Sequence, residues 1–166
     1  MSSLVQYIFE QGKGFSKTEL ETTSALSENE VLVKPKYVGI CGTDLYLMKK
    51  VITPLHLGHE WIGEVLACGP KVTHFSVGDT VTGTGHFACG KCSDCLEDKS
   101  NLCSHAVHFS SDKIGALRSQ FTAPDHQLHK ISTPMSKSQV LHEIFAVGEQ
   151  AYSLLEPYLK LSLIHI

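Results

Sequence analysis

Four cysteines, Cys89, Cys92, Cys95 and Cys103, stand within fifteen residues of one another. The first three are spaced two residues apart and the fourth follows eight positions after Cys95. Thiolates so spaced can wrap one tetrahedral ion in a small lobe, and zinc favours four soft ligands in a closed structural site. Gly90 helps the backbone bend around such an ion, and Lys91 and Lys99 offset its surplus negative charge. An iron–sulfur cluster also uses two-residue spacing. The ferredoxin run, however, brings its fourth cysteine sooner and follows it with proline, whereas Ser104 follows Cys103 here. The bland reading is four free or oxidised surface cysteines. The first ten residues lack a basic stretch followed by an apolar one, so no secretory signal is expected. With no secretory signal expected, six cysteines point to thiolate or metal chemistry rather than disulfides.

A second set of donors lies upstream. Cys41 sits in Gly39-Ile-Cys41-Gly-Thr43-Asp44, and His59 and Glu60 open the run Gly58-His59-Glu60-Trp-Ile-Gly63. Cysteine, histidine and carboxylate together form the ligand set of a catalytic zinc with one position left open. Singly, each has an ordinary explanation: a small buried thiol, a hydrogen-bonded structural histidine, a chance dipeptide. His56, His105, His108, His126 and His129 read as solvated or structural, and Cys68 as an inert buried thiol. Trp61 suits a cleft wall or a core position.

Positioning these donors calls for a mainly β framework. Leu4–Phe9 and 15–23 form a hairpin around Gly12 and Gly14. Strands are predicted at 30–38, 61–67, 80–84, 119–123 and 127–131, with Pro35 placing the third at an edge. The period then changes: 136–156 carries an apolar 3.6-residue repeat, opened by a Ser136/Gln139 capping box and stopped at Pro157. Short strands with one late helix indicate a β-barrel or sandwich. The chain has 166 residues, 42% hydrophobic and 19% charged, which suits one packed domain. Its formal net charge of −3 lacks the basic footprint of a nucleic-acid binder, and no apolar run is long enough to span a bilayer.

Taken in order, these segments resemble the zinc-dependent alcohol dehydrogenases of the medium-chain dehydrogenase/reductase family. Gly58-His59-Glu60, Gly63, Gly69 and Val72 match that family's zinc signature at every fixed position. Gly39–Asp44 is similar to the surroundings of its first catalytic ligand, and the cysteine quartet is similar to its structural lobe. The likeness covers residues 4–156 and is nearest the polyol, sugar and threonine dehydrogenase branch. It implies a GroES-like β-barrel over 1–135 with a zinc lobe at 86–106. Residues 136–166 would then be a helix and the start of a nucleotide-binding domain.

The resemblance also implies roles. Cys41 and His59 would ligate a catalytic zinc, with Glu60 a direct or interchangeable ligand. Asp44 would orient His59, and Thr43 would bond the substrate hydroxyl and begin a proton relay. Glu143, in Leu141-His142-Glu143-Ile144, fits the place of a further ligand. The family's usual following proline is Ile144 here, and a surface carboxylate is an equal reading. Where the family often has a relay histidine, this chain has Tyr46; a phenol of pKa about 10 is a poorer acceptor, so the relay runs through it or directly to water. In such enzymes zinc acts as a Lewis acid while a hydroxyl is oxidised by hydride transfer to NAD or NADP.

The dinucleotide would need a doubly wound domain with a Gly-x-Gly-x-x-Gly turn, and no such motif occurs in the 166 residues. The expectation is therefore a catalytic domain truncated before its cofactor half, binding zinc but inactive alone. Expected partners are a small alcohol or polyol, with homo-oligomers forming through the missing domain, no nucleic acid and no membrane. The expected setting is cytoplasmic. The competing function is a non-enzymatic, zinc-stabilised GroES-like binding or assembly module.

Overall fold

The computed structural model describes residues 4–19, 25–112 and 114–162. A five-stranded, fully antiparallel sheet dominates, in the order β8-β3-β4-β5-β9. Its strands are β3 (Glu30–Gly39), β4 (Glu60–Cys68), β5 (Thr80–Gly83), β8 (Phe121–Pro124) and β9 (Leu128–Lys130). The sheet curls into a half-barrel, the GroES-like arrangement. A separate ribbon of β1 (Val5–Glu10) and β2 (Gly14–Glu19) is tied to it by bridges from Phe9 to Leu55 and from Gln6 to Arg118.

The core follows from strand alternation. Val31 and Val33 on β3 point inward with 0% exposure, while Lys34 and Lys36 face solvent. Trp61 and Val65 on β4, Val81 on β5, Phe87, Phe109, Phe121 and Leu128 complete the cluster. Trp61 is therefore a core residue: it meets Phe121 edge-on at 4.9 Å and stacks on Phe109 at 6.5 Å. Each such side chain contributes about 1.5–3 kcal/mol on burial.

Pro35 lies on a strand with two partners, but β8 pairs only with Glu30–Val33. At Pro35 that flank is open, and a register shift falls between Pro35 and Tyr37 on the β4 side. The proline thus sits at a local edge and bulge, where its missing N–H costs nothing.

Three features depart from the sequence reading. The segment after Cys41, for which no element was predicted, is a helix, α1 (Gly42–Lys50). The late helix is divided: a 3-10 turn at Lys137–Leu141 precedes α3 (His142–Ser162), and the Ser136/Gln139 capping box caps the turn. Finally, Pro157 does not stop α3 but lies inside it. Proline removes one backbone bond, yet the helix runs on through Tyr158 to Ser162, and Leu154, Leu155 and Tyr158 on either side of it are solvent-exposed. The second strand ends at Glu19; the expectation for 20–23 lies outside the described residues.

Candidate metal centres

The cysteine lobe is a loop closed at its base by a two-residue pairing. Strands β6 (His86–Phe87) and β7 (Val107–His108) run antiparallel, so the chain leaves and returns at the same place. Between them are the short helix α2 (Ser93–Leu96) and a 3-10 turn at Ser100–Leu102. Gly90, with φ +70, makes the reversal that Cys89 and Cys92 need to face each other.

All four cysteines are free, and their sulfurs lie within 4.8 Å of one another. Cys92 is 3.4 Å from Cys95 and 3.8 Å from Cys103, and Cys89 is 3.9 Å from Cys95. Four sulfurs about 2.3 Å from a tetrahedral zinc would lie about 3.8 Å apart. The separations bracket that value and far exceed a disulfide bond. Charge agrees with geometry. Backbone N–H groups of Lys91 and Cys92 lower the Cys89 pKa, whereas burial and then the neighbouring thiols raise that of Cys95. Thiols this close oppose each other's ionisation, and a divalent cation is what lets all four ionise together.

The other donors come from distant parts of the chain. Cys41 is the N-cap of α1: its Sγ accepts the Thr43 N–H at 3.2 Å, and its own N–H donates to Asp44 Oδ2 at 3.1 Å. This reciprocal cap fixes Cys41 and Asp44 together on the first turn. His59 follows Gly58, whose φ of +98 aims the histidine inward from the head of β4. Cys41 Sγ then lies 2.9 Å from His59 Nε2. That is shorter than the about 3.5 Å between sulfur and nitrogen ligands of one tetrahedral zinc. The donor types match, and the pair must open slightly to admit an ion.

On the far side of the ring, His59 Nδ1 is 3.3 Å from Asp44 Oδ1, which is wholly buried. Asp44, Cys41 and His59 have donor atoms within 4.8 Å of one another. Because Asp44 faces Nδ1 and Cys41 faces Nε2, a single ion at Nε2 is out of Asp44's reach. Asp44 is placed to orient the imidazole instead. Burial acts to raise the Asp44 pKa, but hydrogen bonds with His59, the Cys41 N–H and Ser110 hold it below the ordinary carboxylate range. The same Asp44 bond raises His59 to about 9, against the opposing pull of burial. A metal cation at Nε2 would take over the role of that proton.

Glu60 and Glu143 complete a second group with His59, again within 4.8 Å. Glu60 is 5% exposed and sits opposite Gly39 in the β3–β4 register. A Cβ at Gly39 would lie 2.5 Å from Glu60 Oε2 and 3.1 Å from its Cβ, so any larger residue there would push the carboxylate aside. Burial pushes the Glu60 carboxyl above its usual range, reinforced by Glu143 and Asp44 and opposed by His59. Glu143 reaches the group from the first turn of α3, where it packs near Gly85.

Thr43, Leu47, His59, His108 and Glu143 line a cleft of about 420 Å³ beside these donors. Tyr46 is 61% exposed and lies outside that lining, so Thr43 opens directly toward solvent. His108, expected to be a plain surface residue, lines the cleft and stacks on His86 at 5.8 Å. The hydrogen bond of Ser110 to Asp44 Oδ1 at 3.0 Å had no signal in the sequence. A serine in a polar run predicts nothing unless its backbone turn is known. Cys68, as expected, is a partly buried thiol, bonded to the Phe75 carbonyl at 3.6 Å.

One curled β-sheet thus carries two candidate donor groups, the cysteine lobe and a mixed Cys/His/Glu cluster beside a cleft. Residues 27–133 match the alcohol dehydrogenase GroES-like domain family, to which the chain belongs. It is 33% identical over 134 residues to L-threonine 3-dehydrogenase of Burkholderia mallei, covering 76% of this chain but 39% of that protein. Among solved structures it resembles an Escherichia coli oxidoreductase/dehydrogenase of unknown specificity: 30% identity, TM-score 0.81, 93% of this chain and 48% of that one. It also resembles an alcohol dehydrogenase from Thermus sp. ATN1, with 27% identity, TM-score 0.73, and 84% and 43% coverage. The chain thus spans well under half the length of the curated relatives it matches. Among the described residues, no helix is long and apolar enough to cross a membrane.

Proposed function

We propose that this chain is the catalytic-domain portion of a zinc-dependent alcohol or polyol dehydrogenase, with one structural and one catalytic zinc. The observation that carries the reading is that His59 is shared by two donor groups, one with Cys41 and Asp44 and one with Glu60 and Glu143, beside the cleft that Thr43 lines. A purely structural domain has no need of this second, open donor set. Cys89, Cys92, Cys95 and Cys103 would hold the structural ion. Residues 1–135 form the catalytic unit, and 136–166 lead toward a nucleotide-binding part.

A zinc ion held by Cys41 and His59 would supply Lewis acidity to a substrate hydroxyl. The chain's own residues do the rest. Asp44 fixes the ring of His59, and Glu60, backed by Gly39, keeps a carboxylate in reserve at the metal. Thr43, at the cleft wall, accepts a hydrogen bond from the substrate hydroxyl and passes its proton outward to water. Hydride acceptance by NAD or NADP requires a dinucleotide turn, and the 166 residues contain no Gly-x-Gly-x-x-Gly. The chain alone is therefore expected to bind zinc without turning over alcohols.

A metal count tests the reading. Two zinc ions per chain are expected, one of them lost in a C41S/H59A variant that still folds. A single ion, indifferent to those changes, overturns the reading in favour of a zinc-stabilised binding or assembly module. Steady NAD-linked turnover of a secondary alcohol by the pure chain overturns the prediction of inactivity.

A further inference from the structure

Ser110 is fully enclosed, at 1% exposure, yet it holds φ at +72, a region that side-chain-bearing residues rarely adopt. Its backbone is pinned on both sides. Its N–H donates to the Ile114 carbonyl at 2.8 Å, and it forms an isolated bridge with His56. That unusual conformation aims the hydroxyl inward. Ser110 Oγ donates to Asp44 Oδ1 at 3.0 Å and lies 3.4 Å from His59 Nδ1. Asp44 therefore has a donor for each oxygen besides His59: the Cys41 N–H on Oδ2 and the Ser110 hydroxyl on Oδ1.

Glycine would occupy this backbone position without strain. A serine there means that the hydroxyl contributes something the turn itself does not need. Without it, buried Oδ1 would keep only the His59 contact, and the carboxylate could rotate about its Cys41 anchor. The imidazole would lose its fixed orientation in turn.

We infer that Ser110 is a positioning residue for the mixed metal site, locking the Asp44–His59 pair so that His59 presents Nε2 to the ion beside Cys41. The inference rests on the reading of that site given above. Residues that orient metal-bound histidines through hydrogen bonds commonly change metal affinity about 10–100-fold when removed.

The test is a cobalt(II) and zinc(II) titration of the full chain and its S110G and S110A variants, with thermal unfolding in parallel. In the unsubstituted chain two ions are expected, with a four-thiolate and a mixed-ligand cobalt spectrum. Both variants should keep the four-thiolate ion at unchanged affinity and hold the second about 10–100-fold more weakly. S110G relieves the strained turn whereas S110A keeps it, so weaker binding of the second ion common to both cannot be ascribed to the turn. S110A keeps the strained turn and lacks only the hydroxyl; it supplies the comparison if S110G repacks. Unchanged affinity for the second ion in both variants overturns the inference while leaving the dehydrogenase reading intact. A chain that binds only one ion before any substitution overturns both.

Discussion

The two candidate metal centres are built on opposite plans. The cysteine lobe draws its four ligands from residues 89–103, held by one pairing of β6 with β7. The mixed site draws on residues spread over a hundred positions, from Cys41 to Glu143, with His59 shared between the Cys41 and the Glu60/Glu143 groups, through β3, β4, α1 and α3. A local site has little else to hold its loop: Leu96 and Leu102 stay exposed, and among the lobe's cysteines only Cys103 is buried. On the proposed reading, an ion bound there would supply much of its folding energy. A distributed site inherits its geometry from a core that exists without it. The lobe should therefore fail as a structure when its metal is lost, and the mixed site should fail as a binding site within an intact domain.

The largest effect should come from the lobe. Binding of a structural zinc is worth on the order of 10 kcal/mol in small metal domains, so C95S or exhaustive chelation should unfold residues 86–108. Hydrogen exchange would show protection lost there while β3 and β4 stay protected. Uniform protection after chelation would break the contrast. Next in size is W61A, which removes the largest fully buried side chain of the core. It should destabilise the chain by about 3–5 kcal/mol in denaturant melts and weaken the mixed site more than the lobe, because only the former depends on β4. Smaller again is D44N. It keeps the side-chain volume but not the charge facing Nδ1, and metal competition should show the mixed-site ion held about 10–100-fold more weakly, with the four-thiolate ion unaffected.

The same difference explains what the sequence could reveal. The lobe is legible because coordination spacing is a property of neighbouring residues. The strands were legible from alternation: Val31 and Val33 face inward as the pattern requires. Cys41, His59 and Glu60 were legible by type, yet their assembly depends on the register that sets Gly39 opposite Glu60. Nothing local marks that register. Helix α1 was hidden because its cap is a cysteine, outside the usual set of capping residues, and because Gly42 opens it. Ser110 was hidden more deeply, since its role rests on a left-handed turn and a partner 66 positions away. Pro157 misled because a proline weighs against a helix locally without always ending it.

Glu143 sets the finest test of the contrast, because it belongs to the mixed site through the least constrained element. It sits on the first turn of α3, only half-buried, and beyond it the helix exposes Phe145, Val147, Leu154 and Leu155. Glu60, by comparison, is 5% exposed and packs against Gly39, where an added Cβ would meet its carboxylate at 2.5 Å. If distributed sites take their strength from the rigidity behind each donor, the two carboxylates should differ. E60Q should weaken the mixed-site ion more than E143Q, and E143Q should lower affinity only several-fold, below the about 10–100-fold expected for D44N. Glutamine keeps volume and helix propensity, so neither change should move the melting midpoint by more than a surface substitution does, within about 0.5 kcal/mol for E143Q. Isothermal titration with zinc resolves the order. An E143Q loss equal to or larger than that of E60Q would mean that α3 is held as firmly as β4, and that the rigidity of the sheet does not decide which carboxylate binds.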